Sequence, residues 1–112
     1  MTKTSSLLLA ALVASSMLST VVSADAKKGQ KYYLKNLKAC KKDGVQTGAN
    51  FAAKKDRDTW AEAKEDGKIL DAWKEICPSG AKKFDKMKPK HVQNLYDFVW
   101  QYASDGDVPS CG

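Results

Sequence analysis

The chain has 112 residues, and 19 lysines and arginines against 13 acidic residues give it a formal charge of +6 at neutral pH. That length allows one domain with a thin core and excludes several. A domain so small needs support from a disulfide, a metal, a cofactor or a dense aromatic core.

The first residues, Met1-Thr2-Lys3, lead into an apolar stretch from Leu7 to about Leu18, which ends in the small residues Val22-Ser23-Ala24. The stretch is shorter than the ~20 apolar residues that span a bilayer. One positive charge, an apolar run and an Ala-type cleavage site are the marks of a secretory signal peptide, residues 1–24, cut after Ala24. The remaining domain, residues 25–112, is then expected outside the cytoplasm, in the periplasm. It carries no membrane span and keeps a basic balance after Lys3 is removed. Every aromatic residue lies in this part, as do the three cysteines, Cys40, Cys77 and Cys111. An oxidising compartment favours pairing two of the cysteines, and an odd number leaves one over.

Helical periodicity runs through the rest of the chain, with no strand alternation. Over residues 29–41, Tyr33, Leu37 and Cys40 share one face at i, i+4, i+7. Gly44 interrupts that run, and Gln46 to Asn50 reads as a loop with at most a helical turn after it. Thr59-Trp60-Ala61-Glu62 has the form of a capping box and opens a short helix closed by Asp66-Gly67. Ile69, Trp73 and Ile76 mark the next helix, which Pro78 stops. The last helix carries the strongest stripe, with Val92, Leu95, Tyr96, Val99, Tyr102 and Ala103 on one side, widened by Phe98 and Trp100. Ser104 to Asp107 ends it, and Val108 to Gly112 is a tail. The fold class expected is all-α, about four helices, with the three tryptophans in the core.

Chemistry-bearing motifs are few. The chain has no Ser/His/Asp order, no Gly-rich phosphate loop and no zinc-ligand spacing, and Asp105-Gly106-Asp107 is too short for a calcium loop. The lysines read as a solvated face more than a dedicated docking site, and their alternation with acids does not point to nucleic acid. The expectation is a monomeric protein that is not an enzyme.

The order of features resembles class I cytochromes c. Those proteins open with a Gly-x-x-x-Tyr/Phe helix followed by Cys-x-x-Cys-His, and they close with an amphipathic helix preceded by a methionine that ligates haem iron. Here Gly29-Gln30-Lys31-Tyr32-Tyr33 leads into Leu37-Lys38-Ala39-Cys40-Lys41, and Asp43-Gly44 through Phe51 is similar to the Gly-rich stretch that follows. Met87-Lys88-Pro89 precedes Leu95-Tyr96-Asp97-Phe98-Val99-Trp100-Gln101-Tyr102. The likeness covers nearly all of residues 25–112, and it implies terminal helices packed against each other. It departs at the haem motif: Leu37 replaces the first thioether cysteine and Lys41 the proximal histidine.

The resemblance implies three candidate readings. In the first, the domain is haem-free, its tryptophans filling space that haem occupies in true cytochromes, and it binds a partner. In the second, one haem c is attached through Cys40, with Lys41, Met87 or His91 as axial ligands. Lys41 would then have to lose a proton against a reference pKa of ~10.4. In the third, the protein is structural and the likeness accidental. Setting Cys40 apart as a relic thioether site leaves Cys77 and Cys111 as the expected disulfide, although Cys40 as half of a disulfide remains open. In the first two readings the lysine-rich surface steers the protein to an acidic partner, for which a periplasmic redox protein is a candidate.

Overall fold

The computed structural model describes residues 24–108. Six α-helices and two 3-10 turns make up the described residues, which contain no strand: α1 (Ala24–Asn36), η1 (Lys38–Asp43), α2 (Gly48–Ala52), α3 (Arg57–Glu65), α4 (Ile69–Ile76), η2 (Pro78–Gly80), α5 (Ala81–Asp85) and α6 (Pro89–Gln101). The four longer helices are those that periodicity marks. The expected signal segment, apart from the backbone of Ala24, and the tail beyond Val108 lie outside the described residues. No helix among the described residues is long and apolar enough to cross a membrane.

Helix α1 carries Asp25 in its first turn and Lys35 in its last, each opposite in sign to the helix-dipole end it sits on. It ends earlier than its apolar stripe suggests. Leu37 leaves helical geometry at φ −117° and ψ 31°, and the chain tightens into η1. In a 3-10 turn residues i and i+3 eclipse, so Leu37 and Cys40 line up and are both buried. Gly44 closes the turn at φ 86°, donating its N–H to the carbonyls of Cys40 and Lys41.

Thr47 caps α2, its hydroxyl accepting from the Asn50 N–H at 3.1 Å. Helix α3 starts two residues before the expected capping box. Asp56 is the cap, accepting from the Thr59 N–H at 2.8 Å, so Thr59 sits inside the first turn as a donor. A carboxylate is at least as good a cap as a hydroxyl, and Asp56 comes first in the chain. Pro89 opens α6 at a position where its missing N–H costs nothing.

Helices α1 and α6 pack directly on each other, as expected for the terminal pair. The contact is closest at Gly29, where a Cβ would lie 2.1 Å from the Asn94 carbonyl oxygen and 2.8 Å from Phe98 Cβ. Inside, Phe51 is a hub of rings. It lies 5.0 Å from Tyr33 and 6.4 Å from each of Trp60, Trp73 and Phe84, and Trp73 and Phe84 meet at 5.8 Å. Trp60 and Trp73 are fully buried as expected, and Trp60 Nε1 donates to the Ala52 carbonyl at 2.9 Å. Trp100 departs from expectation: it is 38% exposed and carries the Arg57 guanidinium over its ring at 4.0 Å.

The disulfide corrects the expected Cys77–Cys111 pair. Cys77 is bonded to Cys40, with 5.1 Å between their Cα atoms and both side chains fully buried. The reason is that η1 and η2 lie side by side, which brings the residue after α4 within disulfide reach of Cys40. Asp43 fastens the same pair of turns from outside, accepting from the Ser79 N–H at 2.9 Å and from its hydroxyl at 3.0 Å. Cys111 lies outside the described residues.

Candidate functional site

The four residues singled out as haem-attaching or iron-ligating lie in different settings. Cys40 is inside the core and its sulfur is bonded to Cys77. Lys41 is exposed on η1 at the rim of a hollow between α1 and α2, beside Tyr33, Leu34, Leu37 and Gly48. Met87 packs against the hydrophobic core. His91 lies in the first turn of α6 and faces a separate hollow, its ring 4.9 Å from that of Tyr32.

These residues do not fit a c-type haem. Thioether attachment needs a free thiol, and the sulfur of Cys40 is already shared with Cys77. Leu37, Phe51, Trp73 and Phe84 are core residues, none more than 1% exposed, and the hollow beside Lys41 is lined by no cysteine, histidine or methionine. Lys41 and His91 border separate hollows, and Met87 lines neither. Among the described residues no group of three or more His, Cys, Asp or Glu side chains is arranged to hold a metal ion.

A concentration of like charge lies elsewhere among the described residues. Lys28, Lys31 and Lys35 follow one another at i, i+3, i+7 along one face of α1, with Tyr32 between them. Lys86, Lys88 and Lys90 approach from the α5–α6 connection and the first turn of α6. Together the two rows border an open trough of about 670 Å³ that Tyr32, His91, Asn36 and Asn94 complete, and no Asp or Glu lines it. All six lysines are exposed and the rings between them are half-buried. Burial against this wall pushes the Tyr32 phenol above its ordinary pKa, so the hydroxyl stays protonated as a hydrogen-bond donor.

The resemblance points to Lys41, Met87 and His91, and the sequence pattern alone makes the lysines a solvated face. The i, i+3, i+7 spacing of Lys28, Lys31 and Lys35 was a signal that they share a helix face. What the sequence could not give is the second row, because its position depends on α6 crossing α1.

A further cluster that sequence reading missed surrounds Arg57, the chain's sole arginine. Its Nε donates to the Trp100 carbonyl at 2.9 Å and its Nη2 to the Gln101 carbonyl at 3.1 Å, while its backbone N–H donates to Asp105 Oδ1 at 2.9 Å. Helix ends leave their last carbonyls unpaired. Arg57 satisfies two of them on α6, so its role is to fasten the end of that helix. Comparison with known proteins returns no matching family model, no similar curated protein and no similar solved structure.

Proposed function

We propose that this is an exported, periplasmic, haem-free module of cytochrome c-like descent that acts as a monomer by binding an acidic protein partner, without catalysis. The observation that carries the reading is the fate of the degenerate motif. Leu37 and Cys40, which stand where the two thioether cysteines of a cytochrome would stand, are both core residues, and Cys40 is one half of a disulfide. A site built this way stabilises a small domain and supplies no anchor for a cofactor. The aromatic hub around Phe51 supports the same reading, since rings fill the volume in which a macrocycle would have to sit. Terminal helices crossing at Gly29 agree with the suggested ancestry. The excess of lysine gives the acidic partner, because surface charge of one sign accelerates encounter with its opposite.

The test is expression with export in a host that carries cytochrome c maturation machinery, followed by a visible spectrum and an intact mass. The expected product is colourless, at the mass of residues 25–112 less two hydrogens. A haem spectrum with one added haem in the mass would overturn the reading in favour of an electron carrier.

A further inference from the structure

We infer that the trough between α1 and the start of α6 is the docking site, and that its occupant is an extended acidic segment of the partner protein. This deepens the reading above and rests on it. The argument begins with charge. Six lysines border one concavity, and no carboxylate lines it to offset them. The ion pairs seen among the described residues lie elsewhere, between Arg57 and Asp107 and between Lys74 and Asp85. Like charges gathered in one place repel one another in the free protein, and an anion laid between the rows turns that repulsion into attraction.

Shape selects the kind of anion. The charges come from two sides, one row along α1 and the other from the α5–α6 connection and the first turn of α6, so the complementary ligand is elongated with negative groups on both flanks. A polypeptide in extended conformation has this property, because successive side chains point to opposite sides. Acidic residues at alternating positions would reach the α1 lysines on one flank and the α5–α6 lysines on the other. Half-buried Tyr32 and His91 form a ring-lined wall between the rows, suited to the aliphatic parts of such a segment, and the amide of Asn94 is available to its backbone.

The chemistry of the cations favours carboxylates spread along a chain over a compact phosphate. Arginine is the residue that grips phosphate by a planar two-point fork, and the single arginine of this chain is committed to the end of α6. Lysine offers a mobile point charge on a long stem, tolerant of where each carboxylate falls.

The experiment uses the purified exported protein and a fluorescent oligo-glutamate peptide, with binding read by anisotropy at several salt concentrations. Two variants carry equal changes of charge: Lys28→Glu/Lys31→Glu/Lys35→Glu in the trough and Lys54→Glu/Lys68→Glu/Lys82→Glu on other faces. A neutral version, Lys28→Gln/Lys31→Gln/Lys35→Gln, guards against loss of fold, checked by helical circular dichroism. The trough variants should weaken binding about tenfold or more, since each alters three of the six cations that border the trough. The control should weaken it much less, and peptide addition should move the backbone resonances of Tyr32 and His91. Equal loss in the trough and control variants overturns the trough while leaving the acidic-partner reading standing. No peptide binding to the parent protein at low salt overturns both. Tighter binding of inorganic polyphosphate than of a peptide of equal charge overturns the peptide as occupant.

Discussion

Tyr33 shows how one residue can tie a sequence pattern to a measurable property. It lies on the inner face of α1 against Phe51, only 5% exposed, and desolvation pushes its hydroxyl up to about 12. In the unfolded chain the same group titrates near 10. The folded pKa is the higher one, so the associated stability is fully present below pH 10 and is lost as the pH rises toward 12. Burial moves Tyr32, Tyr96 and Tyr102 in the same direction. Against a Tyr33→Phe variant, the parent protein should lose on the order of 2 kcal/mol more stability across that alkaline range. Thermal melts of both proteins at stepped pH would show it, and parallel curves would refute it. Tyr33 was legible as a core residue from its spacing with Leu37 and Cys40. The bonding partner of Cys40 was not, because three cysteines permit three pairings and only the placement of η1 beside η2 selects among them.

At the scale of elements, the periodic signals located the helices and misjudged their ends. Residues 29–41 carry one apolar face, yet the α-helix stops at Asn36 and a 3-10 turn continues the face in a tighter winding. Hydrophobic spacing does not separate those two windings over so short a run. The start of α3 differs from the capping-box pattern because Asp56, three residues before Thr59, accepts from the Thr59 N–H and takes the cap. The pairing of α1 with α6 was anticipated from the resemblance, and the structure gives it a physical basis in Gly29. Alanine is a better helix former than glycine by ~1 kcal/mol, so Gly29→Ala would stabilise α1 in isolation. In the folded protein the added methyl would meet the Asn94 carbonyl at 2.1 Å, and backbone cannot yield as a side chain can. Gly29→Ala is therefore expected to destabilise by about 1–3 kcal/mol, read from the shift in the urea midpoint. Unchanged or raised stability would mean that the helices do not approach so closely.

The whole molecule is a small globule whose core depends on rings and one covalent tie. All-α architecture followed from composition and periodicity, and the aromatic-rich core was anticipated by the need of so short a chain for extra support. The lysine trough was not legible, since its two rows meet only after α1 and α6 have crossed. Cys40 and Cys77 are separated by 37 positions, and closing a loop of that size restricts the unfolded chain by about 3–4 kcal/mol. Reduction, or replacement of both cysteines by alanine, should remove most of that stability, as measured by urea unfolding. A change of less than about 1 kcal/mol would show that packing of η1 against η2 suffices without the bond.

The crossing of α1 over α6 also bears on when the domain can form. The helix that begins the described chain has its main partner in the helix that ends it, and both lie outside the ring closed by Cys40 and Cys77. Contacts between sequence-distant segments are the slow ones to assemble. A growing or threading chain therefore carries α1 with its inner face unmatched until α6 has emerged, however early the middle is tied. Completion waits on the last helix, so a chain cut short before Pro89 would keep its ring and lose the union of its ends.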